Sequence, residues 1–189
     1  MLALAWINSA PDGIRERAKR WAAAYLVPFN RASGIRVAEI AADSSDVVLT
    51  LQHRKRNQNL DGTVHGGVIM ALAETVHGVA VMWQFPPHRY SMVTKQAWIE
   101  FLAPGRGQLQ TGFHLDAEVR TRLQTELAER GRCEVTLESR VTDAGGADVA
   151  RLTATYVVRQ RSSRLRAGVA GEVASSSRYK GGGDSEVLS

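Results

Sequence analysis

NLDGTVHGGVIMALAETVHGVAVMWQ, residues Asn59 to Gln84, is the stretch on which the fold of this chain turns. From Gly66 onward it reads as a nearly all-apolar helix, and between Gly66 and Gln84 the only residue charged at neutral pH is Glu74. A helix without a polar face has to be covered by other elements. A carboxylate on such a helix is costly unless it is paired, hydrogen-bonded or protonated. Two readings of Glu74 stand open on this stretch alone. One pairs it with His77 a turn later, or with an arginine across a subunit contact, and makes it an assembly residue. The other makes it a working acid.

The glycines bear on that choice. Gly62 permits a tight turn, while Gly66 and Gly67 fall where the helix begins, so their backbone N–H groups lack intrahelical partners and can approach a ligand closely. A helix start built this way favours an anion or a developing oxyanion. The plainer reading is that these glycines let the chain pass close to a sheet. Free amide donors together with a carboxylate are what acyl transfer to water requires: donors for the oxyanion, and a base or nucleophile for the carbonyl.

Outward from the helix, the pattern turns extended on both sides. GIRVAEIA (34–41) and DVVLTLQHR (46–54) are rich in β-branched residues, and the polar turn Asp43-Ser44-Ser45-Asp46 between them marks a hairpin. Downstream, MVTKQAWIEFLAP, GQLQTGFHLD, CEVTLESRVTD and DVARLTATYVVR read as four more strands, with turn signals at Pro104-Gly105 and Gly145-Gly146. Between the second and third of these, AEVRTRLQTELAERG carries Val119, Leu123 and Leu127 at every fourth position, a short helix closed by Gly131. Near the start, Ile14, Ala18, Trp21, Ala22 and Tyr25 define an amphipathic helix that Pro28 is expected to end. From Arg161 the chain is dominated by Ser, Gly, Ala and Arg, a composition that reads as a disordered tail. The expected organisation is an N-terminal arm and helix over 1–33, an α+β domain over 34–160 and the tail over 161–189. In that domain a curled antiparallel sheet wraps the apolar helix. Such a sheet leaves an edge strand to cover, and a homodimer or a dimer of dimers is the economical way to cover it.

The balance of the chain, 24 basic against 19 acidic residues for +5, favours anionic partners without choosing among them. The single cysteine, Cys133, leaves no internal disulfide framework and suits the cytoplasm. The longest apolar stretch, Val68 to Trp83, is broken by Glu74, Thr75 and His77 and falls short of the ~20 residues of a membrane span, so no membrane association is expected. The five histidines, His53, His65, His77, His88 and His114, show no close ligand spacing, so neither a metal nor another cofactor is implied. There is no G-x-S-x-G elbow and no Walker loop, which leaves a serine hydrolase or an NTPase without support.

The string N-x-x-G-x-x-H-G-G, matched by Asn59, Gly62, His65, Gly66 and Gly67 and followed nine residues after His65 by Glu74, resembles the hot-dog-fold acyl-CoA thioesterases. The likeness extends in element order from about Gly34 to Arg159. It is greatest to the phenylacetate-pathway and hydroxybenzoyl-CoA branches, and the leading and extra helices are similar to an uncharacterised branch grouped with the thioesterases. The resemblance implies hydrolysis of an acyl-CoA to free acid and CoA. By it, Glu74 corresponds to the general base or nucleophile, the Gly66 N–H to the donor that polarises the thioester carbonyl, and His65 and Asn59 to positions that orient the carbonyl or the water. In that family the two halves of the site come from different subunits. The catalytic lyase signatures of other hot-dog enzymes are lacking. The alternative is a non-catalytic acyl-CoA binder, and a purely structural dimer module is a third.

Further candidates for touching substrate are Gly67 and His77. The latter lies on the Glu74 side of the helix and has a packed core histidine as its plainer reading. Arg54, Lys55 and Arg56, a basic run just before the motif, together with Arg89 and Arg106, are candidates for the phosphates of CoA against the default of a solvated strand end. As a nucleic-acid patch the run lacks interleaved aromatics, and no nucleic-acid partner is expected.

Overall fold

The computed structural model describes residues 13–14, 17–18, 27–85 and 89–161. Most of the amphipathic helix expected around residues 14–25, the tail beyond residue 161 and His88 lie outside the described residues; the pieces 13–14 and 17–18 are helical. Pro28 opens a helix instead of merely ending one. α1, Pro28–Ser33, has its proline in the first turn, where a missing N–H costs nothing and a fixed φ suits the helix. Gly34 closes it at φ 91°, a left-handed conformation that suits glycine.

Six strands follow: β1 (Ile35–Ile40), β2 (Asp46–Gln52), β3 (Tyr90–Phe101), β4 (Gln108–His114), β5 (Arg132–Asp143) and β6 (Asp148–Gln160). They form one sheet in the order β1-β2-β4-β5-β6-β3, every pair antiparallel. Successive side chains point to opposite faces of the sheet: on β5 and β6, Val135, Leu137, Val141, Leu152, Ala154, Tyr156 and Val158 are buried, with mostly polar residues between them. The β5–β6 turn is held by Asp143, whose Oδ1 accepts the N–H groups of Gly145 at 2.9 Å and Ala147 at 3.0 Å.

The apolar run forms α2, Gly66–Met82, which packs across β2, β3, β4, β5 and β6. Its buried face is Ile69, Leu72, Ala73, Val76, His77 and Ala80, and Ser139 of β5 donates to the Ala73 carbonyl at 2.9 Å. The helix is not enclosed all round, however. Gly67 is exposed, and Met70, Ala71, Glu74, Gly78 and Met82 are only half-buried. These positions recur at three- and four-residue intervals and so form one stripe. A single copy of the sheet covers one side of the helix and leaves this stripe open.

The expected short helix is α3, Ala117–Arg130. It buries Leu123 and Leu127 against β5 and β6 and is capped by Gly131 at φ 66°. The two sheet edges are β1 and β3. β3 carries Val93, Trp98 and Phe101 exposed, with Leu102 exposed just beyond it.

Candidate active site

The loop before α2 is built by its own side chains. Asn59 Oδ1 accepts the N–H groups of Asp61 and Thr63, both at 3.0 Å, and its Nδ2 donates to Thr63 Oγ1 at 2.9 Å. Gly62 turns the chain at φ 69°. The Asn59 carboxamide is thus engaged in bracing the loop, a different use from the orientation of a substrate carbonyl that the motif implies.

Asn57 goes unremarked in the sequence pattern but pins the whole approach to the helix. It is buried; its Nδ2 donates to the carbonyls of Gln52 at 2.9 Å and Ser33 at 3.2 Å, and its Oδ1 accepts the Arg54 N–H at 2.8 Å. Its own carbonyl accepts the His65 N–H at 2.8 Å. Every polar group of the side chain is used, which fixes the chain entering α2 against the ends of α1 and β2.

His65 caps α2. Its Nδ1 accepts the Gly67 N–H at 3.0 Å, so in the neutral ring the proton sits on Nε2, which stands on an exposed residue as a donor. The cap separates the two glycines. The Gly67 amide is taken, which corrects the expectation that both are free, whereas the Gly66 N–H has no acceptor among the described residues. Gly66 also lies under an aromatic ring: a Cβ at this position would come 3.1 Å from Phe101 Cζ.

Gly66 lines a cleft of about 380 Å³ with Asn59, Thr63, Val64 and Ile69 on one side and the segment 101–105 on the other. The two walls are tied where the Val64 N–H meets the Gly105 carbonyl at 2.9 Å. Gly105 is buried, and an added Cβ would come 2.9 Å from Leu109 Cδ1 and 3.1 Å from Ile69 Cδ1, so only glycine brings the walls this close.

Glu74 is half-buried on the open stripe of α2, not sunk in the core as the all-apolar run suggests. Thr94 Oγ1 donates a hydrogen bond to Glu74 Oε1. Thr94 is directly opposite Tyr156 in the β3–β6 ladder, immediately before a bulge that shifts the register between Thr94 and Gln96. Tyr156 in turn meets His77 Nδ1 at 2.8 Å, and its hydroxyl pKa is pushed up first by burial and then by the negative charge of Glu74. His77 is therefore a core histidine, without solvent exposure, bonded to Tyr156 and set edge-on to Phe113. That placement corrects its nomination as a substrate contact. Burial holds its pKa down at about 4, so it is neutral at pH 7.

Gly66 and Glu74 lie eight residues apart on one helix, an axial separation of about 12 Å. A single carbonyl cannot meet both from the same copy.

The basic run Arg54, Lys55 and Arg56 is exposed around a 3₁₀ turn, Lys55–Asn57, and Arg56 Nη2 is so close to Gly34 that a Cβ there would come within 2.6 Å. Arg89 and Arg106 are exposed as well. None of the five lines the Gly66 cleft. Different cations, Lys95, Arg132 and Arg159, line a second cleft of about 380 Å³ that includes Thr94, and Lys95 and Arg132 share Glu134 at 2.8 and 2.7 Å. Among the described residues no group of three or more His, Cys, Asp or Glu is placed to hold a metal, and no helix is long and apolar enough to cross a membrane. Cys133 is buried, which pushes its thiol up to about 11.

The family model described as Domain of unknown function (DUF4442) matches residues 15–158. The chain belongs to that family. Its fold is the hot-dog fold, shared with solved thioesterase-like proteins. A Pseudomonas aeruginosa protein of unknown function and probable thioesterase, PA5026, is 29% identical with a TM-score of 0.69, the match covering 77% of this chain and 95% of that one. A mutant of thioesterase PA1618, also from Pseudomonas aeruginosa, is 16% identical with a TM-score of 0.57 over 76% and 94% of the two chains. The thioesterase SAV0944 of Staphylococcus aureus, again a mutant, is 11% identical with a TM-score of 0.56 over 69% and 98%. The last two are similar in fold. A comparison with curated proteins gives no match.

Proposed function

We propose that this DUF4442 protein is an acyl-CoA thioesterase, working in the cytoplasm as a homodimer whose two active sites each take the Gly66 amide from one subunit and Glu74 from the other. The observation that carries the reading is the pairing on one helix of an unpartnered Gly66 N–H over an apolar cleft with a half-open Glu74 that Thr94 holds by one oxygen. The 29% identity to a probable thioesterase supports the reaction class. The unpaired β3 edge, its exposed Val93 and Trp98, and the open stripe of α2 support a second copy lying alongside.

In the proposed cycle the thioester carbonyl oxygen accepts the Gly66 N–H, and negative charge on that oxygen grows as the carbonyl carbon is attacked. Because Thr94 occupies Oε1, the free oxygen of Glu74 is Oε2, which takes a proton from water as the hydroxide adds to the carbonyl carbon. Collapse of the tetrahedral intermediate breaks the C–S bond, and the thiolate of CoA leaves with the proton that Glu74 took up. The same carboxylate attacking directly, through an anhydride that water then opens, uses the same contacts. His65 Nε2–H is a second donor at the mouth of the site, and the exposed Arg54, Lys55, Arg56 and Arg89 supply cations for the CoA phosphates.

The test is release of free thiol from a panel of aliphatic and aromatic acyl-CoAs by the wild type and Glu74→Ala. Turnover by the wild type that falls at least a hundredfold in a folded variant supports the reading. Saturable binding of acyl-CoA without thiol release replaces it with a non-catalytic binder.

A further inference from the structure

The lining of the Gly66 cleft narrows what the substrate can be. Val64, Ile69, Phe101, Leu102, Pro104 and Gly105 supply its apolar walls, and no charged side chain lines it. Its two polar side chains, Asn59 and Thr63, are bonded to each other and to the loop backbone. A hydroxyl or carboxylate placed here would lose water and gain few partners in return, an unfavourable exchange. At about 380 Å³ the space is near the lower end of the roughly 300–1,000 Å³ of small-molecule sites.

One side chain is placed to set the depth. Phe101 ends β3, and its ring tip lies 3.1 Å from where a Cβ of residue 66 would be, so the ring stands beside the Gly66 amide. It is 51% exposed, large, and supported on one side by the helix start. The walls behind it cannot spread, since Gly105 is in contact with Leu109 and Ile69 and its carbonyl holds Val64. A carbonyl bonded to the Gly66 N–H would have one of its two substituents against Phe101, and the apolar walls suit the acyl chain better than the polar pantetheine arm.

We infer that this cleft is the acyl-group subsite, that it takes uncharged apolar acyl groups of modest size, and that Phe101 is the residue that sets their length. The inference rests on the thioesterase reading for the identity of the ligand, and on the cleft itself for its selectivity. A larger ring at position 101 shortens the accepted chain; a methyl group lengthens it. Phe101 is half out of solvent contact only, so its replacement leaves the core untouched.

The experiment measures kcat/KM of wild type, Phe101→Ala and Phe101→Trp over straight-chain acyl-CoAs from two to sixteen carbons, with glutaryl-CoA as the charged comparison. Melting temperatures are taken with the same ligands. The expected result is a preferred length that moves to longer chains in F101A and to shorter chains in F101W. The ratio of long to short substrates should change by tenfold or more, and glutaryl-CoA should be the poorer substrate beside its neutral counterpart at every step. Unchanged length profiles in all three proteins, or glutaryl-CoA turned over better than the neutral chain, would overturn the inference while leaving thioester hydrolysis in place. Absence of turnover by the wild type on any thioester sinks the thioesterase reading instead. In that event the thermal shifts decide the cleft: stabilisation whose length optimum moves with residue 101 upholds it, and stabilisation indifferent to that residue, or none with any chain, refutes it.

Discussion

Thr94 Oγ1 donates to Glu74 Oε1, joining the edge strand β3 to the central helix through the one carboxylate that the helix carries. The bond fixes the carboxylate plane and leaves Oε2 as the oxygen free to act. A hydrogen bond to an ionised group contributes about 1.5–3 kcal/mol, which corresponds to roughly ten- to a hundredfold in rate where the bond positions a base. Thr94→Val is expected to lower kcat by about that factor with little change in KM. Thr94→Ser should restore most of the activity. A valine variant with wild-type kcat would make the contact incidental.

The cap at the start of α2 separates stability from chemistry at His65. Loss of the Nδ1 acceptor for the Gly67 N–H is expected to cost about 1 kcal/mol in His65→Ala, a lowering of the melting temperature by about 2–4 °C for a domain of this size. His65→Asn supplies a capping oxygen again and should recover the melting temperature. It lacks the imidazole Nε2–H, so activity should stay low if that donor serves the substrate. Equal recovery of both would confine His65 to capping. Calorimetry alongside thiol release reads the two outcomes apart.

His77 makes the fold sensitive to acid. Its pKa is held at about 4 by burial, against 6.5 for the free side chain. The unfolded chain therefore binds a proton that the folded chain refuses, and stability falls as pH drops from 6.5 toward 4. The fall from 6.5 to about 4 is equivalent to about 3 kcal/mol, complete only below pH 4. Denaturant unfolding from pH 7 to pH 4 measures it. His77→Gln, which keeps a partner for Tyr156 but does not titrate, should flatten that slope; a slope unchanged in the variant would assign the acid sensitivity elsewhere.

Much of this arrangement is legible in the sequence, because its signals are local. Runs rich in β-branched residues between turn signals give the six strands, Gly131 gives the end of α3, and the string Asn59 to Gly67 followed by Glu74 marks the helix start and its acid. What is not legible depends on distant parts of the chain meeting. Thr94 looks like any strand threonine until the bulge beside it and the register with Tyr156 bring it to Glu74. Phe101 reads as an ordinary apolar strand residue, and only the return of β3 past the helix start lays its ring beside Gly66. Asn57 is hidden between a basic run and a motif, although its four contacts reach to Ser33, Gln52, Arg54 and His65. Pro28 is read as a stop because proline breaks a helix interior, yet in the first turn it begins one. The all-apolar reading of α2 misses its open stripe for a further reason: hydrophobicity shows that a face is to be covered, and not whether the cover comes from the same copy.

In the proposed homodimer each site joins Gly66 of one copy to Glu74 of the other, and subunit complementation tests that arrangement. Gly66→Pro removes the amide donor at the first helical position, where proline suits the backbone and Phe101, being half-exposed, has room to shift. Glu74→Ala removes the acid. Each variant alone is expected to be inactive. Unfolded and refolded together in equal amounts, they should regain about a quarter of wild-type activity, because half of the random dimers are mixed and each mixed dimer has one of its two sites intact. No activity from a mixture shown to contain mixed dimers would contradict the claim.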